Sequence, residues 1–555
     1  RLPFLSAARS TFFRWFRDPL VMIKRQRGFW EIGSLLGLII MTVTGSGCEG
    51  QGTGGRGLIV RVQSPPSCVA IGNPFPSGLV LLSESTTLAA VAHFSPPAVA
   101  VYEYSGELGR PVEIAITNIG VDSDGDGVDD QLASAPLFPC RIFCETRIGG
   151  VLPVVGALNL IDDGLALLST SNYEQVLSFD PTSAAAIDLL VDVPASIPVD
   201  RYPMLPSPGS TGARRGVSTF VCVEPPDPFD SNDQPIEADE RCNPEQPSYL
   251  TSFTAGSTIA AGRLFVAMSN FVVADGAFRP GTVLVYDWIN PFGQITVRPI
   301  EEGAVLFTSG FNPTGLVRHI TPGGRELVLV TVTGAILGAS VPDSARTEAA
   351  IDVIDPSGPR VVATIPLGLA APALEPVEID ASGQIGWIGS VTLRQIYAVD
   401  LRALDDPNLY LGSGPPVILD GLTLGFPDAR IFSAEAPLIL PDRLDRSSSP
   451  SCAGLTSVAT NVQGTEAFAT DYCDGTLTRI RFDLTGDSAI PFPADRFQII
   501  GQTTPFAPTP SPGEQSGPGF IAIRPGVPAV DYESADVFVL VADPGLLCGV
   551  RIESL

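Results

Sequence analysis

Basic side chains are scarce in this sequence of 555 residues. Lysine occurs once, at Lys24, and histidine twice, at His93 and His319. This excludes a Schiff-base lysine or a P-loop after residue 24, and a zinc site built from three histidines. Neither a G-x-S-x-G nor an H-E-x-x-H motif occurs. A Ser–His–Asp triad would need His93 or His319, and each is better explained as a structural or surface histidine.

Positive charge is also lacking overall. The chain has 33 Lys and Arg against 60 Asp and Glu, which gives a formal net charge of −27. A polyanion of this size repels phosphate backbones, so we expect no nucleic-acid partner. The charge is typical of a soluble, acidic protein surface.

Long amphipathic helices are absent from the pattern, whereas short apolar strands are frequent. Hydrophobic residues make up 45% of the chain, and the 56 glycines and 52 prolines indicate many turns. The strands form seven pairs. The first members are residues 86–94, 164–170, 262–270, 324–334, 383–390, 464–472 and 535–545. The second members are 98–104, 175–180, 282–287, 350–355, 395–400, 477–483 and 549–554.

Two neighbouring pairs carry a resemblance to a known family. "AIDVIDPSGPRVVATIPLG" (350–368) followed by "VEIDASGQIGWIGS" (377–390) resembles the YVTN/surface-layer type of propeller repeat. The resemblance and the seven strand pairs predict an all-β chain, a seven-bladed β-propeller over residues 58–555. We expect two insertions, at about 199–250 and 402–450, where the pattern breaks into proline-containing loops.

The N-terminal segment predicts export. Basic residues precede a short apolar run at 32–44, as in a signal peptide. "GSGC" (45–48) resembles the lipobox of bacterial lipoproteins, which implies that Cys48 carries the lipid. An ordinary cleaved signal peptide and an uncleaved anchor are the alternatives. Residues 1–47 are then the signal or anchor segment, and 48–57 a Gly-rich tether.

Eight cysteines remain after Cys48, an even number that suits disulfides in an exported protein. Proximity along the chain favours Cys140–Cys144, Cys222–Cys242 and Cys452–Cys473. This leaves Cys68 for Cys548, near the two ends of the propeller. A propeller ring is commonly closed by a terminal strand, and we expect residues 57–62 to supply it, with the disulfide as a lock.

An acidic loop predicts a calcium site. In "VDSDGDGVDDQ" (121–131), Asp122, Asp124, Asp126, the Val128 carbonyl and Asp130 occupy alternate positions of a calcium loop. The loop resembles the calcium repeats of thrombospondin type 3 and dockerin modules. Position 12 is Ala133 rather than glutamate. We therefore expect Ca²⁺ in a structural role, and the alternative is an unliganded acidic turn.

The strand-end aspartates are interpreted as turn caps rather than a converging site. They are Asp180, Asp287, Asp355, Asp400 and Asp483.

The resulting functional hypothesis is a binding or scaffolding propeller at the cell envelope, with a protein or glycan partner and a membrane contact through the lipid. Its location would be the outer membrane or cell surface, alternatively the periplasm or the medium. The alternatives are a structural or adhesion protein, or a propeller enzyme with a channel metal, resembling lactonases or quinoproteins.

Overall fold

The protein is represented by a computed structural model that describes the secondary structure and turns of one part of the chain. The described residues are 60–61, 67–70, 76–81, 87–94, 97–105, 110–118, 155–161, 165–170, 175–179, 187–193, 196–198, 248–250, 253–272, 277–278, 280–289, 296–299, 305–333, 349–368, 377–389, 396–412, 414–420, 422–425, 455–461, 463–471, 476–482, 497–502, 518–523, 536–541 and 546–551. Almost all of them lie in β-strands.

The chain begins its described part with two short strands and then builds two sheets. The short strands are β1 (Val60–Arg61) and β2 (Ser67–Ala70). Sheet 1 contains β3 (Pro76–Leu81), β4 (Thr87–Phe94), β5 (Pro97–Ser105) and β6 (Arg110–Asn118). Sheet 2 contains β7 (Val155–Leu160), β8 (Ala166–Thr170), β9 (Gln175–Phe179) and β10 (Ile187–Asp192). A ribbon of β11 (Ser196–Pro198) and β12 (Ser248–Leu250) follows.

Two larger sheets come next. Sheet 3 contains β13 (Thr254–Ala260), β14 (Arg263–Met268), β17 (Pro280–Ile289), β18 (Thr296–Pro299) and β19 (Val305–Phe311). The small ribbon of β15 (Phe271–Val272) and β16 (Ala277–Phe278) precedes β17. Sheet 4 contains β20 (Pro313–Ile320), β21 (Glu326–Val332), β22 (Ala349–Asp355) and β23 (Arg360–Gly368).

The C-terminal part forms three more sheets. Sheet 5 contains β24 (Glu378–Ile379), β25 (Ile385–Gly389), β26 (Ile396–Asp400) and β28 (Thr423–Gly425). Between β26 and β28 lie the 3-10 helices η1 (Arg402–Asp405) and η2 (Pro407–Tyr410), then β27 (Val417–Ile418). Sheet 6 contains β29 (Leu455–Thr460), β30 (Glu466–Asp471), β31 (Thr476–Phe482) and β32 (Phe497–Gln502). Sheet 7 contains β33 (Pro518–Ile523), β34 (Asp536–Val541) and β35 (Leu546–Arg551).

Within each sheet the strands follow one another in chain order and pair antiparallel, apart from short added strands at the outer edges. The second and third strands correspond to the seven strand pairs expected from the sequence, although β35 begins three residues before the expected 549. These strands are apolar on both faces, as in β25, because each sheet is covered on both sides by its neighbours.

The first and second strands meet through the same irregularity in six of the seven sheets. A bulge interrupts their pairing near the start of the first strand, so the sheets are copies of one structural unit. The turn between these two strands is also repeated. In sheets 5 and 6 it contains Gly383 and Gly464, both with positive φ, which glycine adopts without steric cost.

The sheets contact each other in sequence order. Among the first strands of the sheets, β3 contacts β7, β7 contacts β13, and β13 contacts β20. Further along the chain, β25 contacts β29, and β29 contacts β33. Sheets 4 and 5 share one apolar cluster that includes Leu329, Ile351, Val377 and Ile388. Finally β33 contacts β3, so the seventh sheet lies against the first. Radial sheets with first strands facing inward form a β-propeller.

The two N-terminal strands complete the last two sheets. β2 pairs antiparallel with β35 as the fourth strand of sheet 7, and β1 pairs parallel with β32 in sheet 6. Residues 57–62 were expected to supply the terminal strand of the last sheet, but β1 within them pairs with β32 of sheet 6. The strand that lies beside β35, the last strand of the chain, is β2.

The expected insertions and N-terminal segment have different outcomes. The first part of the expected insertion at 402–450 contains η1 and η2 and two strands, of which β27 joins sheet 4 and β28 joins sheet 5. Residues 199–247, 426–450, 1–47 and the tether at 48–57 lie outside the described residues.

Candidate functional site

Most of the residues singled out in the sequence fall in undescribed parts of the chain. The calcium-loop residues Asp122, Asp124, Asp126, Val128 and Asp130 lie outside the described residues, as do Cys48, Cys140, Cys144, Cys222, Cys242, Cys452 and Cys473. The predictions made for them stay predictions.

Cys68 and Cys548 lie on paired strands. Cys548 is disulfide-bonded, and Cys68 in β2 is its directly opposed residue in β35. Directly opposed residues in an antiparallel pair have Cα atoms about 4.5–5.5 Å apart, within reach of a disulfide. The strand register thus brings together the two cysteines that the sequence left for each other.

The strand-end aspartates of β22 and β26 act as expected. Asp355 Oδ1 accepts hydrogen bonds from the backbone N–H of Ser357 at 3.0 Å and from its hydroxyl at 2.6 Å. Asp400 accepts from the N–H of Arg402 at 3.0 Å and pairs with its guanidinium. Both are turn caps, which confirms the interpretation for these two residues. Asp180 and Asp483 lie outside the described side chains.

His319 lies in the seam between sheets 4 and 5. The residue is only 1% exposed, and its Nε2 atom has no hydrogen-bond partner among the described residues. Burial lowers the pKa of His319 to about 4, although the nearby carboxylates Asp405 and Asp380 act in the opposite direction. A neutral, buried imidazole is the structural histidine that the sequence predicted. His93 lies in β4, and its side chain is outside the described ones.

A second titratable group joins sheets 5 and 6. The Oε1 atom of Glu378 accepts hydrogen bonds from the backbone N–H and the hydroxyl of Thr460, each at 3.0 Å. Burial raises the pKa of Glu378 to about 7, outweighing these two hydrogen bonds, and Asp380 adds to the rise. Glu378 therefore titrates near neutral pH in a contact between blades.

Sheets 3 and 4 are joined by a fully buried carboxylate, Asp352 of β22. It accepts from the N–H of Ser309 at 2.6 Å, from the Ser309 hydroxyl, and from the Thr364 hydroxyl at 2.6 Å. The three donors satisfy a charge that would otherwise be costly to bury. Its role is therefore structural.

The strongest candidate for function is the outer edge of sheet 4, where Val417 and Ile418 of β27 are exposed and Leu411 is exposed in the segment that leads to this strand. We call these three residues the β27 strip. They are 43%, 40% and 80% exposed, respectively. Together with Ile320, they are the large hydrophobic side chains that lie exposed in the described part of the chain. Exposed apolar clusters of this kind mark interaction surfaces.

The β27 strip is attached at both ends to β23. The Tyr410 carbonyl accepts a hydrogen bond from the guanidinium of Arg360 at 2.5 Å. Val417 and Ile418 pair in parallel with Ala363 and Thr364. The attachment points are three residues apart on β23, a span of about 10 Å. The segment from Tyr410 to β27 is thus attached to one short stretch of β23.

The base of the strip is rigid. The Tyr410 ring lies under the Arg325 guanidinium, with 3.8 Å from Cζ to the ring centroid, and its hydroxyl donates to the Leu404 carbonyl at 2.6 Å. Asp405 accepts from the N–H of Gly323 at 3.1 Å. These contacts link η1 and η2 to the first turn of sheet 4 and hold the exposed side chains in place.

Acidic residues border the strip. Asp406 and Asp420 are exposed on either side of it along the chain, and Asp355 and Asp405 act electrostatically on Tyr410. Within the described ranges, no group of three or more histidine, cysteine or carboxylate residues could hold a metal ion. The strip therefore offers apolar contact and negative charge to a partner.

The sequence analysis missed this site, because it placed residues 402–450 in a loop insertion. The available signal was the run "LGSGPPVIL" (411–419), in which apolar residues frame a Gly- and Pro-rich turn. An apolar pair just after prolines is typical of a short edge strand.

In the ranges that the structure describes between residues 60 and 551, no helix is long and apolar enough to cross a bilayer.

Comparisons with known proteins give likeness in fold only. No protein-family profile and no curated protein sequence matches the chain. Among solved structures it is similar to Kuenenia stuttgartiensis hydrazine synthase, with 10% identity, 88% of this chain and 98% of that chain covered, and a TM-score of 0.44. It is also similar to the β-propeller domain of Myceliophteria thermophila Cps50 (Swd1), with 9% identity, 87% and 99% covered, and a TM-score of 0.42. A third similar structure is virginiamycin B lyase from Staphylococcus aureus, with 9% identity, 88% of this chain and 99% of that chain covered, and a TM-score of 0.39. Likeness at this level carries no argument about function, and the propeller assignment depends on the sheet order and the contacts between sheets.

Proposed function

We propose that the chain is an exported, lipid-anchored propeller that acts as a binding or scaffolding module at the cell envelope. The observation that carries this proposal is the β27 strip, where three apolar side chains are exposed on a rigid base. Folding alone does not require such exposure, and it costs solubility. A partner that covers the strip would remove that cost.

The proposed architecture is a closed ring of seven blades. Its support is the series of first-strand contacts, which ends with β33 beside β3, and the addition of β2 to sheet 7. We further propose that Cys68 and Cys548 form the disulfide that locks this closure. The relation to the YVTN/surface-layer repeat is supported by the positions of the quoted segments, which fall on β22–β23 and β24–β25.

Export and anchoring are proposed from the N-terminal segment and the cysteines. Cys48 would carry the lipid, and residues 49–57 would tether the propeller to the membrane. The outer membrane or cell surface is the proposed location, with the periplasm or the medium as the alternative. The Asp122–Asp130 loop would bind Ca²⁺ as a structural ion that stabilises a loop of the first blade.

Site-specific photo-cross-linking in intact cells tests the binding function. A photoreactive amino acid at Leu411 should give a cross-linked partner, because that side chain projects from the strip. The same amino acid at Arg481, an exposed position on sheet 6, is the matched control. Equal or no cross-linking from the two positions would contradict a binding role for the strip.

A further inference from the structure

The β27 strip has an open strand edge as well as apolar side chains. β27 is the last strand in the order of sheet 4. The N–H of Leu419 donates to the Thr364 carbonyl at 2.9 Å, so the peptide groups of residues 417 and 419 face β23. Because neighbouring residues of a strand alternate, the N–H and C=O of Ile418 point to the opposite side, away from the sheet.

The outer edges of this propeller already accept added strands. β27 adds in parallel to β23 in sheet 4, and β1 adds in parallel to β32 in sheet 6. Both additions come from segments that are remote in sequence from the strands they join. Strand addition at the outer edge is therefore compatible with the curvature and twist of these blades.

The negative charge of the chain indicates what kind of strand would bind beside β27. The chain carries a net charge of −27, and Asp406 and Asp420, which precede and follow the strip along the chain, are both exposed. A second copy of the same chain would meet this negative charge with its own, which disfavours self-association. A segment with Lys or Arg on either side of an apolar core would be complementary.

We propose that the β27 strip binds an extended apolar segment with basic flanks from another protein, which adds to sheet 4 as a sixth strand. Ile418 supplies the backbone hydrogen bonds, Leu411 and Val417 supply apolar contact, and Asp406 and Asp420 attract the flanks. This inference rests on the proposed binding function and names the partner chemistry of the same site.

A synthetic peptide tests the inference with the purified full-length protein. The probe has about nine residues, alternates valine with threonine, ends in lysines and carries a fluorophore. Its control peptides replace the lysines with glutamates or the central valine with proline. Fluorescence anisotropy should show saturable binding of the first peptide and at least about tenfold weaker binding of both controls.

Variants at Ile418, with a control at Ile320, distinguish strand addition from nonspecific hydrophobic binding. Ile418→Pro removes the outward N–H and leaves the Leu419–Thr364 hydrogen bond in place, so the dissociation constant should rise at least about tenfold. Ile418→Thr should weaken binding less. Ile320→Thr changes another exposed isoleucine (52%, against 40% for Ile418) on the first strand of the same sheet and should have no effect. Melting temperatures show whether each variant is folded.

Three results would overturn the inference. These are no saturable binding to the folded protein, equal binding by Ile418→Pro and wild type, or a concentration-dependent dimer that Ile418→Pro abolishes. The last would make a second copy the occupant. A cross-linked partner from position 411 without peptide binding would reject strand addition and keep the binding function, whereas failure of both would reject the two together.

Discussion

The carboxylate of Glu378 and the N–H and hydroxyl of Thr460 join two neighbouring blades through a single oxygen atom, with both distances 3.0 Å. The contact is made from β24 of sheet 5 to the end of β29 in sheet 6. Because burial raises the pKa of Glu378 to about 7, the strength of this contact depends on pH in the neutral range.

Replacing Glu378 with glutamine should change how stability depends on pH. The folded pKa of about 7 lies above the ordinary value of 4.5, so the folded state holds the proton more tightly than the unfolded state. The Glu378 contribution to the unfolding free energy is thus largest below pH 4.5 and falls by up to about 3 kcal/mol as the pH rises to 7. Denaturant unfolding at several pH values should show this fall in wild type and lose it in Glu378→Gln. Parallel curves for the two proteins would contradict the buried, titrating carboxyl.

His319→Gln should have the opposite effect on the acid side. The pKa of His319 is lowered to about 4 from 6.5, so the unfolded chain takes up a proton that the folded protein does not. The contribution of this residue to stability is complete above pH 6.5 and is lost as the pH falls towards 4. The same unfolding series should show less acid destabilisation in His319→Gln than in wild type. An unchanged acid limb would mean that the imidazole is not held neutral between sheets 4 and 5.

Two glycines offer a matched test of the contact between sheets 4 and 5. Gly383 and Gly324 both have positive φ, so alanine at either position should cost about 1–2 kcal/mol in backbone strain. A Cβ atom at Gly383 would also lie 3.1 Å from the Ile320 carbonyl oxygen. At Gly324 no heavy atom of the described residues, apart from its chain neighbours, would lie within 4 Å of the added Cβ. Gly383→Ala should therefore be the more destabilising change in thermal unfolding, by roughly 1 kcal/mol or more. Equal costs would show that the turn of sheet 5 does not press against sheet 4.

The buried carboxylate of Asp352 should be more important for stability than the half-buried Asp355 on the same strand. Asp352→Ala leaves the Ser309 N–H and two hydroxyls without their acceptor, at a cost of about 2–4 kcal/mol. Asp355→Ala removes only a turn cap and should cost less than about 1 kcal/mol. Chemical denaturation of the two variants measures the difference. Similar losses of unfolding free energy in the two variants would contradict a stabilising role of Asp352 in the contact between sheets 3 and 4.

The sequence predicted the centre of each blade better than its edges. Strands such as β14 and β25 are apolar on both faces, and this pattern is visible without any structure. The first and fourth strands were not recognised. β13 reads "TAGSTIA", which consists mostly of small and polar residues, and β28 has only three residues. Neither carries a clear hydrophobic period.

The candidate site could not be predicted, because its exposure is a tertiary property. Val417 and Ile418 read as any apolar pair, and only the pairing with β23 shows that they form an open edge. The Cys68–Cys548 expectation was reached by elimination, and the register of β2 and β35 then placed the two residues opposite each other. The strand that pairs with β35 was predicted wrongly. Residues 57–62 have the stronger apolar pattern, but β2 is the strand that lies beside β35.

Disulfide mapping of the purified protein tests most directly the claim that the chain closes into a ring in an oxidising compartment. Mass spectrometry of a non-reduced digest should show a linked pair of peptides that carry Cys68 and Cys548, and this pair should separate on reduction. Reduction should also lower the melting temperature, because the bond closes almost the whole ring and is worth roughly 4–5 kcal/mol. A free Cys68 thiol, or Cys548 joined to any other cysteine, would contradict the account.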